Sequence, residues 1–277
     1  MKKKNKTKIK VELNRRDFLT VAATAAGSVV VAQALTTGPL SPFSTLKQGQ
    51  LQGVETSTQT SVSVQRWGMV INLDKCIGCE YCLRACSATN DVDPKRTWNI
   101  VVKEKTTGGR TFFFSRPCLH CQEAPCVEVC PVKATYHRED GLVVMDYDRC
   151  IGCRYCEVAC PYDARVFNWE ARPEGNPFIP TWGIAEVDRR PRGVIEKCTF
   201  CIHRIDAGLK AGLVPGVDRD ATPACVNICP VGARTFGDLN DPNSPVSQLL
   251  AQNATIRLRE ELGTEPNVYY IPPKEGL

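Results

Sequence analysis

Asp148-Arg-Cys150-Ile-Gly-Cys153-Arg-Tyr-Cys156-Glu-Val-Ala-Cys160-Pro161 is the stretch that decides how this 277-residue chain is read. Cysteines spaced x2, x2, x3 and followed by proline form the run that wraps a cubane iron–sulfur cluster. Three close cysteines take three corners of one cluster, and the fourth reaches to a second. The spacing recurs upstream as Cys76-x2-Cys79-x2-Cys82-x3-Cys86, there followed by Ser87. Between these two lies Cys118-x2-Cys121-x4-Cys126-x3-Cys130-Pro131. The last run is split: Cys198-x2-Cys201, a gap of 23 residues, then Cys225-x3-Cys229-Pro230. These four runs use all 16 cysteines. They imply four [4Fe-4S] clusters and a protein whose work is moving electrons.

Two other uses of cysteine compete with this reading. Disulfide frameworks belong mainly to short exported chains that lack a core, and they need no repeated three-plus-one spacing. Structural zinc takes two C-x2-C pairs per site, not three cysteines at i, i+3 and i+6 with a distant fourth. Other residues in the runs suit clusters. Gly78 and Gly152 sit between the first two cysteines of their runs, where a residue without a side chain lets backbone N–H groups approach sulfur. Pro131, Pro161 and Pro230 fix φ after the fourth cysteine and stop a helix from running on. Cys86 lacks such a proline, so its role rests on spacing alone. Lys133, Arg154 and Lys197 flank the runs. Solvated surface charge is the plain reading of them, and an influence on cluster potential is the sharper one.

The N-terminus has the three parts of an export signal. A lysine-rich segment precedes Asn14-Arg15-Arg16-Asp17-Phe18-Leu19-Thr20, a weakly apolar stretch runs to about Leu35, and Ala32-Gln33-Ala34 offers a cleavage site. The paired arginines resemble a twin-arginine (Tat) motif, which implies export of an already folded protein. Clusters assembled before export would then already occupy the thiols on the oxidising side. The apolar stretch is short for a spanning helix, so an uncleaved anchor is the minority reading. No later segment is long and apolar enough to span a membrane, so membrane contact is expected only through a partner. Residues 1–34 carry a surplus of +6, which leaves −1 of the whole-chain +5 for the remainder. A near-neutral remainder gives no electrostatic case for nucleic-acid binding.

The chain also repeats itself. Residues 74–86 match residues 148–160 at nine of thirteen positions, and residues 126–134 match 225–233 at six of nine. The order A-B-A-B is that of a duplicated two-cluster ferredoxin. Short apolar strands are expected before each run, at residues 66–73, 111–115, 141–147 and 193–196, giving a recurring unit of strand, cysteine loop and short helix. Residues 172–193 and 206–224 are expected as surface loops and as candidates for partner contact. A helix is expected from Val246 to Leu262, followed by an extended tail.

Taken together, Cys118-Leu-His-Cys121-x4-Cys126-x3-Cys130-Pro131, Cys150-Ile-Gly-Cys153-Arg-Tyr-Cys156 and Glu196-Lys-Cys198-Thr-Phe-Cys201 resemble the four-cluster iron–sulfur subunits of the dimethyl-sulfoxide-reductase superfamily. The resemblance covers roughly residues 66–240 and implies an α+β fold of two bacterial-ferredoxin-like dicluster halves, a tandem duplication with loop insertions. The implied organisation is 1–34 signal, 35–65 arm, 66–106 plus 193–245 first half, 107–192 second half, and 246–277 C-terminal helix and tail. It implies that one cluster takes Cys76, Cys79, Cys82 and Cys229, and its neighbour Cys198, Cys201, Cys225 and Cys86. In the other half one takes Cys118, Cys121, Cys126 and Cys160, and the last takes Cys150, Cys153, Cys156 and Cys130. With every position supplied by cysteine, His120, His137 and His203 are expected only as local hydrogen-bonding residues. The implied partners are a large molybdopterin-type catalytic subunit and an NrfD-type or cytochrome-type membrane subunit that handles quinone. The expected role is a non-catalytic relay, periplasmic or peripheral on the outer face of the cytoplasmic membrane. Rival roles are a quinone-linked complex without a molybdenum partner, a free polyferredoxin, and a structural zinc protein.

Overall fold

The computed structural model describes residues 64–274. The expected signal, nearly all of the expected arm and the last three residues of the tail lie outside the described residues. Each cysteine run sits between a strand and a helix. Strand β1 (Trp67–Asn72) leads through the first run into helix α1 (Tyr81–Asn90). A hairpin of β2 (Ile100–Lys105) and β3 (Thr111–Arg116) leads into the second run and α2 (Pro125–Glu128). The pair β4 (Thr135–His137) and β5 (Val143–Met145) precedes the third run and α3 (Tyr155–Ala159). The pair β6 (Arg165–Phe167) and β7 (Ile195–Lys197) precedes the fourth run and α4 (Ile202–Lys210). Helix α5 (Ala224–Asn227) carries the far part of the split run. Strand β8 (Arg234–Asp238), helix α6 (Pro245–Gln252) and strand β9 (Val268–Ile271) follow.

Strand β1 is apolar on both faces, which demands cover on both. Trp67, Met69 and Ile71 point into the main core, while Val70 joins Val246 of α6 and Ile271 of β9 on the other side. The strand therefore lies in the middle of a three-stranded sheet, antiparallel to β8 and parallel to β9. The other strands form two-stranded pairs. The main core is not a continuous apolar filling. Cys86, Cys118, Cys121, Cys126, Cys156, Cys198 and Cys225 belong to it, so the thiols are part of what the strands and helices enclose.

Two expectations are corrected. The C-terminal helix ends at Gln252, ten residues early, and only a 3₁₀ turn at Glu260–Leu262 follows. Ser244 caps its start by accepting from the Ser247 N–H at 3.2 Å, with Pro245 in the first turn. The tail carries β9, whose Val268 and Tyr270 are fully buried. Residues 172–193 form the expected surface loop, without helix or strand, and are pinned at two points. Asn176 is buried and its amide donates to the Ser87 carbonyl at 2.9 Å, while the Arg189 guanidinium holds Asp91 at 2.8 Å. Residues 206–210 of the expected loop 206–224 complete α4.

Candidate iron–sulfur centres

The four C-x-x-C loops share one backbone feature. The residue before the second cysteine is left-handed in each: Gly78 at φ 70°, His120 at 45°, Gly152 at 67° and Phe200 at 54°. Two of these loops therefore hold a bulky residue where glycine is favoured, a strain of about 1–3 kcal/mol each that packing must offset. The two rings do pack: His120 stacks on Phe200 with centroids 3.9 Å apart. Where glycine is present, space demands it as well. A Cβ on Gly152 would lie 2.1 Å from the Gly193 carbonyl oxygen, and one on Gly78 would strike the Phe113 ring.

The Cys-Pro junctions share a second conformation. Helices α2, α3 and α5 stop just before Cys130, Cys160 and Cys229, and Pro131, Pro161 and Pro230 turn the chain. In each turn the N–H three residues on (Lys133, Asp163, Gly232) donates to the cysteine carbonyl at 3.2–3.3 Å. The next N–H then faces sulfur: Ala134 donates to Cys130 Sγ and Ala233 to Cys229 Sγ, both at 3.2 Å. The first run differs for a physical reason. Without a proline after Cys86, α1 runs on to Asn90 and no backbone N–H is freed. The Asn90 side-chain amide stands in, donating to Cys201 Sγ at 3.5 Å and Cys86 Sγ at 3.8 Å.

These loops surround four cavities. Cys76, Cys79 and Cys82 line the first with Cys229, in a space of about 390 Å³. Cys118, Cys121 and Cys126 line the second with Cys160 and Pro161, at about 340 Å³. Cys150, Cys153 and Cys156 line the third with Cys130, at about 290 Å³. Cys198, Cys201 and Cys225 line the fourth with Cys86, at about 230 Å³. All sixteen cysteines are free of disulfides. The fourth cavity has four buried cysteines, whereas Cys153 of the third is exposed and Cys76, Cys79 and Cys82 of the first are half-buried. Burial pushes the Cys121 and Cys225 thiols up to about 12, and it raises Cys86, Cys198 and Cys201 as well. Such groups stay protonated unless iron displaces the proton and anchors the thiolate. Each cavity thus offers four soft sulfur donors among largely apolar walls, with N–H groups aimed at sulfur. That donor set suits a cubane cluster.

Two of the three histidines have local partners, and His137 is exposed. His120 is fully buried, and its Nδ1 accepts from the Val143 N–H at 3.2 Å. Burial and then the Lys197 charge keep its pKa well below the ordinary range. His203 contacts Glu186 at 2.9 Å. The flanking cations divide. Lys133 is exposed. The Arg154 guanidinium lies 4.6 Å from the Trp169 ring centre, against its face. Lys197 is fully buried, which overturns the plain reading of it as surface charge. Two further residues escaped the sequence reading. Arg165 Nη2 donates to Cys126 Sγ at 2.9 Å, and Arg234 Nη1 to Cys225 Sγ at 3.5 Å. A signal was there: each lies five residues after the last cysteine of its run, Cys160 and Cys229.

Fold and site together define a dicluster iron–sulfur protein of ferredoxin type. A model described as 4Fe-4S dicluster domain matches residues 75–134 and 149–233, and a second with that description matches 109–174. The chain belongs to this family, as an α+β protein with two dicluster domains. Residues 6–37 match a model described as Ubiquitinol-cytochrome C reductase Fe-S subunit TAT signal. Among curated relatives, the chain is 46% identical to a Halobacterium salinarum protein assigned as a dimethyl sulfoxide reductase iron-sulfur subunit, over 74% of this chain and 78% of the relative. It is 42% identical to the menaquinone reductase iron-sulfur cluster-binding subunit of Nitratidesulfovibrio vulgaris, over 76% and 91%. It is 37% identical to a selenate reductase subunit of Mesobacillus selenatarsenatis, over 93% and 97%.

Proposed function

We propose that the chain is the electron-relay subunit of a membrane-associated oxidoreductase complex and performs no catalysis of its own. It holds four [4Fe-4S] clusters, one per cavity, through the sixteen cysteine thiolates. The observation that carries this reading is that each cavity gathers three cysteines from one run and a fourth from its partner run. When bound, the clusters supply one-electron redox chemistry. The chain's own part is to fix the thiolates, to aim N–H groups at sulfur and to keep water from the inner centres. The exposure pattern supports a directional role. The buried fourth cavity suits an interior step, while the more open first and third cavities suit exchange with partners. The halves are 66–106 with 193–245, and 107–192.

Electrons pass one at a time between a quinone-linked membrane subunit, of NrfD or cytochrome type, and a molybdopterin-type catalytic subunit. Relatives named as subunits of dimethyl sulfoxide, selenate and tetrathionate reductases support the reductase side. The paired arginines and the matched export-signal model support a site of action on the outer face of the membrane. Among the described residues no helix is long and apolar enough to cross a membrane. A second reading is a quinone-linked complex without a molybdenum partner. Relatives named as iron–sulfur subunits of a menaquinone reductase and an Hdr-like menaquinol oxidoreductase favour it. Mild-detergent capture of the tagged chain from native membranes, with mass spectrometry and molybdenum analysis, separates the two. Stoichiometric molybdenum with a large subunit is expected. A membrane subunit without molybdenum selects the second reading, and the chain alone refutes both.

A further inference from the structure

Among the described residues, three cations are buried without a carboxylate partner. Arg165 and Arg234 are 3% and 5% exposed, and Lys197 is fully buried. Among the described residues none of the three makes an ion pair, whereas the equally buried Arg190 pairs with Glu196 at 3.3 Å. A buried charge without a counter-charge is costly enough that folds do not keep one idly.

Their positions are as telling as their burial. Arg234 lines the first cavity and donates to Cys225 Sγ, which lines the fourth. It is held there by Asn99 Oδ1 at 3.2 Å and by the Ser115 hydroxyl. Arg165 lines the second cavity and donates to Cys126 Sγ. Its other nitrogen donates to Thr135 Oγ1 at 3.0 Å and Met145 Sδ at 3.1 Å, and both residues line the third cavity. Lys197 Nζ donates to the carbonyl of Cys198, a residue of the fourth cavity, at 2.7 Å. It stands opposite Arg165, which lines the second cavity, across the β6–β7 pair, where the second and fourth cysteine loops meet through the stacked His120 and Phe200 rings. One cation therefore stands at each junction: first to fourth, fourth to second, second to third.

We propose that Arg234, Lys197 and Arg165 are positioning residues that serve as fixed counter-charges, one between each successive pair of clusters, each raising the reduction potentials of both neighbours. This rests on the cluster reading above. A cluster held by four thiolates is net negative and gains one further negative charge on reduction. A cation in the gap favours that electron on either side, and it also weakens the repulsion between two reduced neighbours. Burial matters because a charge shielded from water is screened much less than an exposed one. Each step adds one electron from the mediator and calls on no proton.

The test is a mediated redox titration of the anaerobically purified full chain, followed by electron paramagnetic resonance, with iron content measured on each sample. Arg165→Met is expected to lower two of the four one-electron steps and leave two unmoved. The expected size is at least tenfold in the reduction equilibrium, about 59 mV for a one-electron couple. Lys197→Met should move a different pair. Arg165→Lys and Arg234→Lys keep the charge and should stay near the wild-type potentials. The exposed control Lys210→Met, at the far end of α4, should move none. Iron-loaded Met variants with unmoved potentials overturn the proposal, as do Lys variants that shift as far as Met variants. If a Met variant loses iron, the charge-keeping variant decides: Arg→Lys at positions 165 and 234, and Lys197→Arg at position 197. Wild-type protein without iron would instead sink the cluster reading on which this rests.

Discussion

Gly152 and Gly109 both adopt positive φ, at 67° and 85°, but only one is crowded. Alanine at Gly109, in the β2–β3 turn, meets nothing within 4 Å and costs only the left-handed backbone, about 1–2 kcal/mol. Alanine at Gly152 costs the same and also drives a methyl group to 2.1 Å from the Gly193 oxygen and 3.0 Å from the Phe167 ring. The first contact is with backbone, so no side chain can rotate away. Either the third cysteine loop or the segment before β7 must shift, at about 1–3 kcal/mol more. For a domain of this size each kcal/mol lowers the thermal midpoint by about 2–4 °C, so Gly152→Ala should melt about 2–12 °C below Gly109→Ala. Circular dichroism melts of the two variants give the comparison, and iron analysis should show loss confined to Gly152→Ala. Equal melting points with full iron in both would refute the close approach of the third loop to Gly193.

Other residues give equally direct tests. Asn90→Leu removes the amide that stands in for the missing backbone donor at Cys86 and also reaches Cys201 Sγ, and should cost about 1–2 kcal/mol by chemical unfolding. An unchanged midpoint would contradict that substitution of roles. A chain ending at Thr264 lacks β9 and the burial of Val268, Tyr270 and Ile271. At about 1.5–3 kcal/mol each, the loss is comparable with the whole stability of a typical domain, so soluble expression should fail. A folded, iron-bearing truncate would show β9 to be dispensable. Burial pushes the Asp91 carboxyl up, but the Arg189 and Arg172 guanidinium groups and the Asn176 amide outweigh it and hold its pKa below the usual value. Its contribution is therefore complete above the ordinary Asp range and lost only as pH falls through the lower, folded value. Normalised at each pH to trypsin cleavage of an unstructured peptide, cleavage within residues 172–193 should stay flat from pH 8 to 5 and rise in Asp91→Asn at pH 7. A rise in the wild type already at pH 6 would contradict the ion pair.

The cysteine spacing, the strands before each run and the helix stops at Pro131, Pro161 and Pro230 could be read locally, because each depends on residues within a few positions. What the sequence hid depends on distant partners. Val268-Tyr-Tyr-Ile271 has strong strand character, but its partner is β1, some two hundred residues earlier, and a proline-flanked tail gives no hint of it. Residues 172–193 have the composition of a solvated loop, and Asp91, far upstream, is what pins them. Lys197 looks like surface charge because lysine is rarely buried. Only the cavities on either side make its burial intelligible. His120 and Phe200 occupy the left-handed position that glycine marks in the sister loops, so the shared conformation was visible in two runs and masked in the other two.

Iron, acid-labile sulfide and zinc measured together on the anaerobically purified full chain test the central claim most directly, with the resonance spectrum of the reduced sample recorded alongside. Four cubane clusters predict about sixteen iron and sixteen sulfide per chain, negligible zinc, and a brown protein whose reduced spectrum shows interacting clusters. A colourless protein with zinc in place of iron, or one whose cysteines have paired as disulfides, would contradict it.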